Sequence, residues 1–259
     1  MANQSDDADS HGIRLIARGD DAALAESAND AIRECFDEGI LRNVSVMAPC
    51  PALDHAVDQL AGVDGLCTGV HVTLTAEWDQ PNWGPVLPPE EVPSLVDEDG
   101  NLPKLAEDFV ERDPDPDEVV AEMEAQIDRL REVGFEPSYL DTHMAIEHHL
   151  DWFVGAMTDL CKRKGLIDGT SVPLPPGADG PGTSPQWLLD RLEDTDGGTY
   201  LVVGHPMYED DDAAEIVGLG NERGEVAANR ADQRRMFTDA RIQQYVEDHD
   251  IEVLWYNEL

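Results

Sequence analysis

The stretch IRLIARGDDAALAES, residues 13–27, decides the fold and frames the chemistry. Ile13 to Ala17 is an apolar run of the kind that forms a buried strand. Within a few residues it meets Arg18, Gly19 and two adjacent carboxylates, Asp20 and Asp21, after which a helical pattern begins. An aspartate there can serve as a helix N-cap, because its oxygen accepts a free backbone N–H. Two side by side repel each other unless a cation or a proton intervenes. The stretch alone leaves a cap and a cation site equally open.

Working outward, similar runs recur at wide intervals: NVSVMA (43–48), GVHVTL (69–74), PSYLDT (137–142), TYLVVG (199–204) and IEVLWY (251–256). TSVPL (170–174) is a weaker strand candidate because of Pro173. Between them lie helical patterns. Residues 23–39 carry Leu24, Ala28, Ile32 and Phe36 and stop at Gly39, and residues 116–134 carry Val119, Met123, Ile127 and Leu130 and stop at Gly134. Pro116 and Asp117 suit the start of the latter. Residues 150–165 and 231–250 give two more. Strands alternating with helices predict βαβ units and a largely parallel sheet. Residues 76–115 and 172–187 are irregular excursions, and long loops of this kind commonly shape a pocket. The predicted organisation is a disordered acidic tail over 1–12 and one α/β domain over 13–259.

The net charge is −39 in 259 residues, and the only lysines are Lys104, Lys162 and Lys164. Dispersed self-repulsion of this size destabilises a compact chain in dilute buffer. At ~1 M salt the Debye length is ~3 Å and most of the repulsion is screened. The composition therefore predicts a halophile-like cytoplasm. The melting temperature is expected to rise from low to molar salt; a flat or falling value would refute the high-salt reading and leave the chemistry untouched. The same charge argues against a nucleic-acid partner, whose phosphates need a basic surface. No run of ~18 apolar residues suggests a membrane span, and the start lacks the basic and apolar regions of a signal peptide. Cys35, Cys50, Cys67 and Cys161 form no CxxC pair and read as buried thiols.

Chemistry-bearing residues stand at or near several predicted strand ends: Asp20 and Asp21, His71, Asp141 with His143, and His205. In parallel α/β folds ligand sites lie at the carboxyl ends of the strands. Each has a plainer reading: His71 suits a core position, and His143 suits a helix cap. His148, His149, His11, His55 and His249 read as surface. Four coincidences are harder to accept than one site. One Asp and two His suit a hydrolytic metal ion with an open position for water. A neighbouring carboxylate can then act as base, and a further histidine as acid.

These residues resemble the YdjC-like (ChbG/HpnK) carbohydrate deacetylases. RGDDAA (18–23) stands where that family has N-A-D-D-F-G, and TGVHVTLT (68–75) matches G-x-H-x-x-L-T. SLVDEDGNL (94–102), PSYLDTH (137–143), GHP (204–206) and the final IEVLWYNEL follow its remaining segments in order, as does EGILRNVSVMAPCPALDHAV (38–57). The resemblance implies a distorted, incomplete β/α barrel that removes an N-acetyl group from an amino sugar or oligosaccharide with a divalent metal, Mg²⁺ or Zn²⁺. It implies Asp20 as base, Asp21, His71 and His143 as metal ligands, His205 as acid and Asp141 as the carboxylate that orients a ligand or the acid. Arg18-Gly19 and Ala22-Ala23 depart from the motif, and the family's D-S-H-H-H-V-H becomes DTHMAIE, with Met144, Ala145 and Glu147 in place of histidines. Arg18 suits a substrate carboxylate by its planar fork, or an ion pair with Asp20 or Asp21. The alternatives are a related metal-dependent amidase or esterase acting on another small molecule, and a non-catalytic sugar-binding barrel. A homodimer is compatible with the sequence, which shows no exposed stripe that would define its face.

Overall fold

The computed structural model describes residues 12–259. The tail expected over 1–12, with His11, therefore lies outside the described residues except for Gly12. The order is β1 (Ile13–Ala22), α1 (Glu26–Glu38), β2 (Asn43–Val46), α2 (Leu53–Leu60), β3 (Cys67–Val72), α3 (Ala106–Glu111), α4 (Pro116–Glu132), β4 (Tyr139–Thr142), α5 (Phe153–Lys164), β5 (Ile167–Asp168), α6 (Pro185–Glu193), β6 (Gly198–Gly204), α7 (Glu225–Thr238), α8 (Ala240–Asp248) and β7 (Glu252–Val253). The strands pair in the order β5-β4-β3-β2-β1-β6, and β7 joins β1. Every pairing of these strands is parallel. The ends of that path, β5 and β6, are not joined. The result is the distorted, incomplete β/α barrel that the resemblance implied.

Side chains alternate across the sheet, as strand geometry requires. Leu15 and Ala17 face the helices with Val202, Phe237 and Ile242, whereas Ile16 faces inward with Cys67, Tyr139, Leu201 and Tyr256. Val44, Val70 and Leu140 pack outward against Ile32, Ile127 and Phe153. The inward face turns polar toward the carboxyl ends, where Arg18, Asp20, Ser45, His71 and Asp141 are all buried. Gly69 makes room on that face: a Cβ there would sit 2.3 Å from the Tyr139 ring. The four cysteines are buried free thiols, as expected. Among the described residues no helix is long and apolar enough to cross a membrane.

Several boundaries differ from the sequence reading. β1 runs on through Arg18–Ala22. TSVPL is not a strand: the strand is Ile167–Asp168, and the Asp168 side chain then accepts from Thr170 N and starts a 3-10 turn over Gly169–Ser171. Residues 231–250 do not form one helix, because Asp239 lies outside helical geometry and its side chain caps α8 through Arg241 N. IEVLWY contributes only Glu252–Val253 before a further 3-10 turn at Tyr256–Glu258. α6 occupies part of the region read as irregular, started by Ser184 and Pro185.

Candidate metal centre and active site

The opening aspartates are brought together by a β-bulge. Between Gly19 and Ala22 the chain takes three steps while β2 takes two, Val44 to Val46. One residue is therefore extra, and it breaks the alternation of faces. Asp21 absorbs the change with φ 62. Asp20, following Ile16 and Arg18, faces inward by alternation; Asp21, which alternation would turn toward the helices, is rotated to the same cavity. Neither is a helix cap, since α1 begins after Ala25 with no side-chain cap.

Asp21 Oδ1, His71 Nε2 and His143 Nδ1 meet at one point. Asp21 Oδ1 lies 3.4 Å from His71 Nε2 and 3.3 Å from His143 Nδ1, and the two nitrogens are 3.3 Å apart. Such spacings are edges of a polyhedron around an ion bound at ~2.0–2.2 Å. Neither oxygen of the buried Asp21 receives a well-directed hydrogen bond, although Arg230 Nη2 pairs with Oδ2 at 2.7 Å. Oδ1, which faces the two imidazoles, has no guanidinium partner of its own, and a cation between the three donors would complete it. The residues present therefore fit a metal ion.

Each donor is held from behind. His71 Nδ1 lies 2.9 Å from Asp141 Oδ1, and Asp141 Oδ2 accepts from Ser45 Oγ at 2.8 Å. His143 Nε2 lies 2.8 Å from Glu77 Oε2. Arg18 is not open to a ligand carboxylate. Its Nε and Nη2 grip Asp20 at 2.7 and 2.8 Å, while Nη1 reaches Tyr256 Oη at 2.9 Å and Asp141 Oδ2 at 2.6 Å. Of the two roles the sequence allowed Arg18, the structure carries the ion pair.

The electrostatics point the same way. Four buried carboxylates, Asp20, Asp21, Glu77 and Asp141, face two buried guanidiniums, Arg18 and Arg230. Two negative charges are left for a divalent cation or for protons on histidine. Burial alone would lower His71, but Asp141 and Asp20 outweigh it and hold the imidazole well above its ordinary value. Burial likewise opposes charge on His143, yet Glu77 and Asp21 push it up to about 9. Burial would raise Asp21, but Arg230, His205 and His143 keep it well below the usual carboxylate range.

His205, just past β6, lines the same cavity. Its Nδ1 lies 3.0 Å from Gln233 Oε1, and the Gln233 amide is oriented by Asn229. Nδ1 therefore carries the proton and Nε2 is free. Burial, ahead of the raising effect of Asp21, leaves its pKa below the ordinary value. The cavity holds about 450 Å³. Its floor is Asp20, Asp21, His71, His143 and Arg230; its walls include Trp78, Met144, Leu174 and Leu219. A cavity of about 660 Å³ at the opposite end of the strands is lined by Cys67, Thr68, Ser138 and Trp255. Among the described residues two groups of side chains could hold a metal ion, Asp21-His71-His143 and Asp20-His71-Asp141, and they share His71, which lines the first cavity. His148, His149 and His249 are exposed, as expected, whereas His55 is half-buried beside Asn29.

Glu77 and Arg230 were not foreseen. Glu77 sits in the excursion after β3 and Arg230 on α7, and Arg230 lies over the Trp78 ring with its Cζ 5.6 Å from the centroid. The only available signal was weak: Arg230 is one of just 17 basic residues.

Fold and site together define an incomplete parallel β/α barrel with a buried Asp-His-His donor set at the carboxyl ends of its strands. The chain belongs to the YdjC-like protein family, whose model matches residues 14–179. It is 28% identical over 256 residues to a carbohydrate deacetylase of Thermoanaerobacter pseudethanolicus, covering 92% of this chain and 95% of that one. It is 24% identical over 267 residues to a carbohydrate deacetylase of Brevibacillus brevis, covering 95% and 100% of the two chains. A crystal structure of an Enterococcus faecalis V583 protein shares the fold, with TM-score 0.77 at 22% identity over 96% of this chain and 99% of that one.

Proposed function

We propose that this chain is a metal-dependent carbohydrate deacetylase that hydrolyses the N-acetyl group of an amino sugar to acetate and a free amine. The observation that carries the reading is the triangle of Asp21 Oδ1, His71 Nε2 and His143 Nδ1, with Asp20 lining the same cavity. The deacetylase relatives support the substrate class. Asp21, His71 and His143 would hold the ion, Zn²⁺ or Mg²⁺, which supplies polarisation of the acyl oxygen and a more acidic water. Two imidazoles and one carboxylate favour zinc over magnesium.

The chain's own residues do the rest. Asp20 takes the proton of the attacking water. Its oxygens each accept one bond from Arg18, and a carboxylate has about four lone-pair sites, so capacity remains. Arg18 fixes the carboxylate in two places, which keeps it aimed. His205 gives a proton to the leaving nitrogen from Nε2 in its charged form, which carries protons on both ring nitrogens, Nδ1 staying engaged by Gln233. The proton that Asp20 takes from water keeps the count unchanged over one turnover. Its lowered pKa makes the charged imidazole a strong donor. The acting unit is residues 13–259 as one domain, since β1, β3, the turn after β4, the segment after β6 and α7 all contribute to one cavity. Four unpaired thiols support a reducing, cytoplasmic setting.

The apolar walls Met144, Leu174 and Leu219 favour one second reading, an amidase or esterase acting on a less polar small molecule. The deciding experiment loads the protein with Zn²⁺ or Mg²⁺ at molar salt and measures acetate release from N-acetylated sugars and from non-sugar acetamides and esters. Release from the sugars is expected. Metal-loaded protein that cleaves only the non-sugar compounds supports the second reading, and one that cleaves neither is a binding barrel.

A further inference from the structure

The two candidate histidine ligands present different nitrogens, and a separate buried carboxylate accounts for each choice. Asp141 bonds His71 at Nδ1 and leaves Nε2 toward Asp21. Glu77 bonds His143 at Nε2, 2.8 Å away, and leaves Nδ1 toward Asp21 and His71. An ionised carboxylate only accepts, so the nitrogen it touches must carry the proton. We propose, on the footing of the metal-centre reading above, that Glu77 is a positioning residue that fixes His143 in the tautomer whose Nδ1 faces the ion.

His143 cannot achieve this from its own strand. β4 ends at Thr142, and Met144 and Ala145 take φ 56 and 49, so the chain leaves the sheet at the ligand itself. Orientation has to come from elsewhere, and Glu77 supplies it from the excursion after β3. Glu77 is 2% exposed, and its backbone is strapped on both sides. Ala76 N donates to Pro103 O at 2.8 Å, and Asp79 N donates to Val217 O at 2.7 Å. Gly218 lets that second strap close: a Cβ there would lie 2.8 Å from Trp78 Cα. A buried carboxylate on so fixed a backbone holds its imidazole in one place. Partners of this kind raise ligand basicity as well as orienting it.

The test is Zn²⁺ titration of metal-free protein, wild type against Glu77→Ala and Glu77→Gln. Glu77→Ala, which removes the acceptor oxygen altogether, is expected to weaken Zn²⁺ binding by about 10–100-fold. Glutamine, whose amide oxygen still accepts from Nε2, is expected to stay within severalfold of wild type. Imidazole ¹⁵N shifts of Zn²⁺-loaded wild type should show His143 protonated at Nε2 and not at Nδ1. Should Glu77→Ala fail to fold, the glutamine variant and the wild-type spectrum carry the test. Wild-type affinity in folded Glu77→Ala, a tenfold or greater loss in Glu77→Gln, or a proton on His143 Nδ1 would overturn the proposal while the metal reading stands. A wild type that binds no divalent ion would overturn both.

Discussion

Asp20→Asn is expected to lower turnover by ~10²–10⁴-fold, the span of a general base, while the protein keeps its metal. Asparagine preserves the shape and one oxygen for Arg18 but cannot take the proton of the attacking water. The rival role is visible in the same contacts: Asp20 accepts from Arg18 Nε and Nη2 and could serve only as its counter-ion. The two roles separate when kcat, metal content and melting temperature are measured on one preparation. A base shows as lost kcat at full metal content. A counter-ion shows as a lowered melting temperature with kcat near wild type, and that result would remove the base assignment. Asp21→Asn provides the contrast. Its Oδ1 belongs to the donor triangle and its Oδ2 is held by Arg230, so metal content and turnover should fall together.

Much of this site could be read from the sequence, because apolar runs mark strands and alternation marks faces. His71 and Asp141 are paired across β3 and β4; Asp141 falls near the end of the run PSYLDT, whereas His71 lies inside GVHVTL and comes near a strand end only because β3 stops at Val72. The bulge could not be read, because an extra residue shows only against the register of β2, which no local pattern encodes. It is nonetheless what gives the adjacent aspartates one cavity and two environments. Glu77 was hidden for a different reason: among 56 acidic residues a single glutamate in an irregular segment carries no signal. The 231–250 pattern misled because its apolar period continues across Asp239, where a side-chain cap restarts the helix.

Arg18→Met should be the most damaging substitution to stability. The guanidinium is buried and joins Asp20 and Asp141, with Tyr256 Oη as a further partner. Removing one member of a buried ionic group costs about 3–5 kcal/mol, because the remaining charges are left uncompensated. For a chain of this size that is a fall in melting temperature of roughly 6–20 °C. The pH dependence identifies the cause. Burial would raise Asp141, but Arg18 and His71 hold it below the ordinary carboxylate value. Such a group contributes stability that is present above its unfolded pKa and lost as the pH falls through the lower, folded one. In Arg18→Met, Asp141 loses the guanidinium that helps hold it down and takes up its proton at higher pH than in wild type, which relieves the buried charge. The stability gap between the two proteins, both metal-free, should therefore be widest near neutrality and narrow as the pH falls toward 4. A gap that stays constant with pH would mean that Arg18 acts through packing alone, and that the chain from His71 through Asp141 and Arg18 to Asp20 is not an electrostatic unit.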